Sequence, residues 1–458
     1  MRYVNWYFIL IIYLICFVFY SLISPFFWFD EAGQIFMSLG LNHFTLPNSK
    51  IGSLSDVILN NNRFNLDPGG FTFLLYFWLK VSTKYIWLRI LPYIFFIASI
   101  FLIIEISKIV GKNSIIYGLL IFIIKQLVVR SNEIRAYTME FLSILISIYI
   151  IINLKKINNK KLFNLSILSS LLISSRYSST ILFGIISLIT ITYLIRTSKS
   201  NYEKLKSILL FLAPLATSVY FIIFVTLINQ NPSLSKVSYM EYLSDNPFLL
   251  FRNINCIHSI SIIILLLIYC FDKKIVDQLK TLIFTSLIVN FVFICISLLG
   301  LYPYSPFNER NLAIFTYTFL PLIYWIHISF FQNLKFSNNL IIPLIFGIIY
   351  TYSFNKILYH NWRKNNLYTD LLDYKFSNNN IFFIEKDDMP STKYLFEFYY
   401  ENSHLNYPKS FITLDNNFIK FEKNIYNSDT NYFLISSRNI DDDKIEKIGS
   451  NLYKIDAK

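Results

Sequence analysis

Charge is what this sequence has least of. Asp, Glu, Lys and Arg make up only 15% of its 458 residues, against about 25% in ordinary soluble domains. That deficit excludes a water-soluble globular chain, and it does not fit a disordered segment or a coiled coil either. Cysteine is also scarce. The four present, Cys16, Cys256, Cys270 and Cys295, all lie in apolar segments. They have neither metal-ligand spacing nor the pattern of a disulfide framework. The five histidines, His43, His258, His327, His360 and His404, are scattered and share no helical face, which argues against a metal triad. The sequence has no phosphate-binding loop, zinc signature or glycine-rich nucleotide fingerprint.

What is present is apolar and aromatic. Hydrophobic residues make up 55% and aromatic residues 18%, and the mean hydropathy is +0.48. These residues come in runs. The first extends from about Tyr7 to Phe29, and others cover roughly 86–107, 114–130, 137–154, 162–178, 180–195, 207–228, 254–271, 281–300, 312–331 and 340–355. Each approaches the ~20 residues a bilayer requires. The pattern predicts an all-α polytopic membrane domain over residues 1–355 with about 11 transmembrane helices. Met1-Arg2 precedes the first run and no small-residue cleavage site follows it. It is therefore expected to be an uncleaved span with a cytoplasmic N-terminus.

A first outer loop is expected over about 30–85, broken by Gly33, Gly40, Pro47, Gly52 and Pro68. Within it Phe71 to Leu79 is apolar but short. If it spanned, every later loop would change sides. Lysine placement decides against that. With 71–79 re-entrant or lying flat, the inner loops are nearly all lysine, as the positive-inside rule predicts. The outer side then holds Arg63, Arg89, Arg130, Arg135, Arg176, Arg252 and Arg310, with Lys50, Lys80, Lys84 and Lys236. Arginine is the residue suited to bidentate phosphate contacts, although an arginine at the interface can also simply snorkel. Residues 1–355 contain 27 Lys+Arg and 13 Asp+Glu, and residues 356–458 contain 14 and 15. The basic excess thus belongs to the membrane half. It fits topology and anionic lipid and gives no basic stripe for nucleic acid.

Residues 356–458 read as a small, soluble, extracytoplasmic α/β domain. Its strands are expected at Ile381–Glu385, Phe411–Leu414, Tyr432–Ser436 and Leu452–Ile455, with a helix over Ser391–Glu401.

Four constellations can carry chemistry. Asp30-Glu31 follows the first span. Adjacent acids at a membrane boundary are costly unless solvated or paired, and one of them can serve as general base on an acceptor hydroxyl. The plain alternative is an interfacial acid pair. Asn65-Leu66-Asp67-Pro68-Gly69-Gly70 is a turn ahead of an aromatic run ending in Trp78. There Asp67 reads first as a helix cap, or else as lining the same cavity as Asp30. Asn132-Glu133-Ile134-Arg135-Ala136-Tyr137 stands at the outer junction of two spans, with Arg135 either paired to Glu133 or Glu140 or holding a lipid phosphate. Glu309-Arg310-Asn311 opens a late span on the same side. Arg176-Tyr177, by contrast, reads as a surface turn, and Glu105 as a partner for Lys108.

The order of these pieces resembles the protein O-mannosyltransferase and aminoarabinose-transferase superfamily of C-type (GT-C) glycosyltransferases, best over residues 25–195 and again at 302–325. The resemblance implies a polyprenyl-phosphate sugar donor used on the outer face of the cytoplasmic membrane, with no cofactor required and no metal indicated. It implies Asp30 as catalytic base, supported by Glu31. Arg135 and Arg310 would bind the donor's lipid phosphate, and Asp67, Glu133 and Tyr137 would line the cavity. A lipid, glycan or protein acceptor would take the sugar. One departure stands out. The family's His-Pro-Pro-Leu is here Asp67-Pro68-Gly69-Gly70, which points to a different sugar or acceptor, or to an inactive relative. The rival classes are a flippase for lipid-linked saccharide, a polymerase or ligase, and a non-catalytic scaffold. A flippase should show internal repeats and mid-membrane charges. No repeat is visible, and Lys125 alone reads as a mid-span charge.

Overall fold

Long apolar runs become helices because lipid offers the backbone no hydrogen bonds, so each segment must satisfy its own. The structure, a computed structural model, describes residues 29–41, 52–111, 115–123, 133–197, 200–230, 256–273, 275–299, 311–331, 380–385, 410–414, 431–435, 445–448 and 452–455. The expected spans at 7–29 and 340–355, the helix at 391–401 and Arg310 lie outside the described residues or almost wholly so.

The helices are α1 (Phe29–Ser38), α2 (Leu54–Phe64), α3 (Gly70–Leu79), α4 (Tyr85–Val110), α5 (Ile115–Leu119), α6 (Tyr137–Asn153), α7 (Asn159–Leu172), α8 (Tyr177–Thr197), α9 (Asn201–Phe221), α10 (Cys256–Phe271), α11 (Asp277–Leu298) and α12 (Leu312–Ile326). Five helical stretches are long and apolar enough to cross a membrane: Tyr85–Val110, Tyr177–Thr197, Asn201–Asn229, Asp277–Ser297 and Leu312–Phe330. Helices α3, α6 and α10 are apolar but shorter. The chain divides into two units. Among the described residues, one contains 61–74 and 89–331, and the other contains 29–60, 75–88 and the C-terminal strands.

In the first unit the usual polarity is turned inside out. On α10 the face made by His258, Ser261, Leu265 and Ile268 is buried, whereas Ile257, Ile260, Ile263 and Leu267 are exposed. An apolar outside with hydroxyls and amides inside suits a protein whose solvent is lipid. Helix α6 is the hub. All but one of its residues are buried, and it packs on α7, α8, α11 and α12. Hydroxyls join it to its neighbours. Ser143 and Ser179 share a hydrogen bond of 2.7 Å, and Ser147 and Tyr317 share another of 2.7 Å. Along the α7–α9 seam, Ser166 donates to the Phe211 carbonyl, and Ser218 donates to the Ser170 carbonyl at 2.6 Å. Each such bond contributes about 0.6 kcal/mol on average in a bilayer. Small side chains also let the helix backbones approach closely.

The second unit holds α1, most of α2 and the end of α3. Helix α1 ends in a Schellman motif: Leu41 N–H reaches the Phe36 carbonyl at 3.1 Å and Gly40 N–H the Met37 carbonyl at 3.0 Å, with Gly40 at φ +72°. Ser53 and Asp56 then cap α2 reciprocally, with Ser53 N–H on Asp56 Oδ2 at 2.7 Å and Asp56 N–H on Ser53 Oγ at 3.3 Å. These bonds hold the Asp56 carboxyl below its usual range.

Helix α3 has 10 residues and rises about 15 Å, half of the ~30 Å hydrocarbon core. Trp78, near its end, is clasped to Trp87 at the start of α4. The rings stack at 4.2 Å and 6°. Each indole N–H donates to the other residue's backbone carbonyl, at 2.8 Å from Trp78 and 3.0 Å from Trp87. The clasp thereby turns the chain back between 79 and 85.

The C-terminal strands are β1 (Asn380–Glu385), β2 (Ser410–Leu414), β3 (Asn431–Ile435), β4 (Ile445–Lys447) and β5 (Leu452–Ile455), in the order β2-β1-β3-β5-β4. β1 is parallel to β2 and β3, and β5 is antiparallel to β3 and β4. Parallel neighbours need a connection of a dozen or more residues, a length that 386–409 and 415–430 supply. Consecutive residues of a strand point to opposite faces. Phe433 and Leu434 are both buried, so β3 is covered on both sides. Sequence patterning finds four of these strands to within a residue but not β4, whose Ile-Glu-Lys shows no alternation.

Candidate functional site

The densest polar chemistry in the first unit is assembled from three distant pieces of chain. The piece 61–72 makes a tight turn. Asn61 Nδ2 donates to the Asp67 carbonyl at 3.1 Å, while its Oδ1 accepts from Asn65 Nδ2 at 3.0 Å and Thr72 Oγ1 at 2.8 Å. Gly69 sits at φ +90°, where a side chain is strained. Gly70 N–H donates to the Ser174 carbonyl at 2.9 Å. A Cβ on Gly70 would lie 2.0 Å from Ser174 Oγ and 2.7 Å from its carbonyl oxygen. Gly70→Ala is therefore expected to cost ~1–3 kcal/mol, as overpacking does. Thermal unfolding of the detergent-solubilised protein would show it, and an unchanged midpoint would mean the turn can shift away from α7.

Asp67 does not cap α3. Its Oδ1 accepts a hydrogen bond from Arg176 Nε at 3.1 Å. Arg176 Nη1 donates to Glu140 Oε2 at 2.9 Å, and Ser178 Oγ donates to the other Glu140 oxygen. The surface-turn expectation for Arg176 is thus overturned, because the residue is only 3% exposed. Two acids 109 and 36 residues away in sequence hold it. Buried charge is tolerated only when paired and hydrogen-bonded, which is the arrangement found. Glu140 is committed to Arg176, which answers the expectation that it pairs with Arg135. Arg89, another expected outer arginine, is fully buried in α4 rather than snorkelling at its surface. The expected Glu105–Lys108 pair is present at 2.6 Å.

Tyr137, at the start of α6, lies against this cluster. Its ring centroid is 4.9 Å from the Arg176 guanidinium carbon and 5.9 Å from that of Arg135, both within cation–π range. Glu133 is buried and its carbonyl accepts the Arg135 N–H at 2.7 Å. Of the expected site residues, Asp67 and Tyr137 thus touch Arg176, and Arg135 lies beside the same Tyr137 ring. Arg176 is held by two carboxylates. Arg135 is half-buried.

The chain matches no family model and no curated protein. What the site does must therefore be argued from its own residues. Two more side chains tie the turn in place. Gln230 Nε2 donates to the Asn65 carbonyl at 2.5 Å and its Oε1 accepts from Tyr177 Oη at 3.0 Å. Sequence marked Tyr177 only as part of a surface turn and Gln230 not at all, since a Gln and a Tyr at helix ends carry no signal of partners so far along the chain.

Asp30 and Glu31 belong to the second unit, in the first turn of α1, where acids complement the helix dipole. Glu31 is wholly buried and Asp30 half-buried. Asn311, directly after Arg310, caps α12 by accepting from Ile314 N–H at 3.4 Å. Among the described residues no group of three His, Cys, Asp or Glu side chains is spaced to hold a metal ion.

Proposed function

We propose that this chain is an integral-membrane glycosyltransferase of the GT-C type. It moves a sugar from a polyprenyl-phosphate carrier to an acceptor on the outer face, through about 11 spans, and its residues 356–458 form an extracytoplasmic domain. One observation carries the reading. The two loop motifs that suggested the family, the Asp67 turn and the Arg135–Tyr137 junction, meet around one buried ion cluster.

The chemistry follows from the donor. The leaving group is a lipid phosphate, whose developing charge an arginine stabilises, and Arg135 is the residue for it. A carboxylate removes the acceptor hydroxyl's proton, a role assigned to Asp30, with Glu31 in support. The hydroxyl oxygen forms the new bond to the anomeric carbon as the bond to phosphate breaks. Direct displacement inverts that carbon. Arg310 is assigned a second contact to the phosphate. No nucleotide and no metal is needed for this scheme.

The test is donor turnover. Purified protein is incubated with a panel of radiolabelled polyprenyl-phosphate sugars and an envelope extract as acceptor. Label should pass from one of them to the extract. Absence of transfer from every donor, with uptake of lipid-linked saccharide into vesicles instead, would replace the reading with a flippase.

A further inference from the structure

An exposed apolar patch ringed by charge marks a surface that meets something other than water. The corner where α3 passes into α4 carries such a patch. Between Tyr76 and Trp87 stand five aromatic residues and two lysines, and no Asp or Glu. Phe77, Val81 and Ile86 are 54%, 69% and 44% exposed. Lys80 and Lys84 are exposed beside them, and neither takes part in an ion pair among the described residues. The Lys80 ammonium lies 4.4 Å from the Tyr76 ring centroid and 5.8 Å from that of Phe77, within cation–π range.

The corner is held in one shape. The Trp78–Trp87 clasp ties its two arms together. Val81 N–H donates to the Trp78 carbonyl at 3.2 Å, and Lys84 N–H donates to Ser82 Oγ at 3.2 Å. Its height follows from α4, which is long and apolar enough to cross a bilayer. Glu105 and Lys108 are paired and exposed near one end of that helix. Tyr85 stands 20 residues before Glu105, a rise of about 30 Å, which is the thickness of the hydrocarbon core. The corner therefore meets the opposite headgroup layer, where Trp and Tyr concentrate. An apolar tip at that depth enters the acyl boundary while lysines stay among the headgroups.

We infer that the α3–α4 corner is a docking surface for anionic lipid: Phe77, Val81 and Ile86 enter the acyl boundary, and Lys80 and Lys84 meet the negative charge of the headgroups. Charge selects this occupant. Two lysines with no acid between Tyr76 and Trp87 repel a basic partner and give a neutral headgroup no advantage. An anionic headgroup gains about fivefold from each lysine near the surface. The inference is independent of the transfer reaction.

Quenching of the clasp by brominated lipid tests this. Full-length protein carrying Trp6→Phe, Trp28→Phe, Trp325→Phe and Trp362→Phe, so that emission comes from Trp78 and Trp87, is reconstituted into mixed phosphatidylcholine and phosphatidylglycerol bilayers. One lipid or the other is brominated near its headgroup. Phosphatidylglycerol should quench with an apparent affinity at least about fivefold above that of phosphatidylcholine. Lys80→Gln with Lys84→Gln should bring the two lipids within about twofold, and salt at about 0.5 M should do the same to the unsubstituted corner. The melting midpoint of the lysine variant should not move, since both side chains are exposed. A structural role for the lysines would lower it.

Equal quenching by the two lipids before the lysines are changed overturns the inference. So does a phosphatidylglycerol preference that survives their loss. Quenching by neither lipid would mean that protein covers the patch, which overturns it as well. If the tryptophan variant does not fold, the wild-type chain is compared directly with its Lys80→Gln, Lys84→Gln form. Their difference in phosphatidylglycerol quenching reports the corner, and no difference would refute the inference.

Discussion

Arg176→Met is expected to destabilise the protein by about 3–5 kcal/mol, the cost of removing one partner from a buried ion pair. Asp67 and Glu140 would be left facing each other with no cation, and Glu140 has no solvent exposure at all. A melting curve in detergent reads the loss. The companion variant Arg176→Met with Asp67→Asn and Glu140→Gln separates charge from packing. If the cost comes from stranded carboxylates, neutralising both should recover more than half of it, a non-additivity expected of groups in one network. If the triple variant melts no higher than the single one, the side chain's packing against Tyr137 is what matters, and the ion cluster is incidental to stability.

Asp30→Asn is expected to lower the transfer rate by about 10²–10⁴-fold, the range over which a positioned general base acts. Asparagine keeps the shape of the side chain and its place in the first turn of α1, so donor affinity should stay near wild type. Glu31→Gln should behave differently. Glu31 is wholly buried, and its neutralisation should appear first in stability. Initial rates with the active donor distinguish the two. An Asp30→Asn enzyme with an undiminished rate would keep the class of reaction and remove Asp30 from its centre.

Much of the architecture is legible because it follows from local chemistry. The apolar stretches and the short β-patterned segments of the tail each carry their own signal, and β1, β2, β3 and β5 fall within a residue of where alternation puts them. The shortness of α3 is likewise foreshadowed by the lysines that bound it. Arg176 is different. A lone arginine in Ser174-Ser175-Arg176-Tyr177 between two apolar segments looks like any interfacial turn, and its partners are 109 and 36 residues distant. Only the cost of a charge between membrane helices hinted that it needed a counter-ion. The polar seams were hidden for a related reason. Ser143, Ser147, Ser166 and Ser218 lie in runs whose average hydropathy is high, and an average does not say which face of a helix is turned inward.

The Trp78–Trp87 clasp has an optical consequence. Two parallel indoles 4.2 Å apart behave as one chromophore, with transitions split by excitonic coupling. The protein has only six tryptophans, so this dimer should stand out in circular dichroism as a couplet that Trp78→Phe or Trp87→Phe abolishes. The couplet depends on ring geometry and not on helix content. It therefore gives an intrinsic, label-free reporter of whether the clasp opens when a candidate ligand is added.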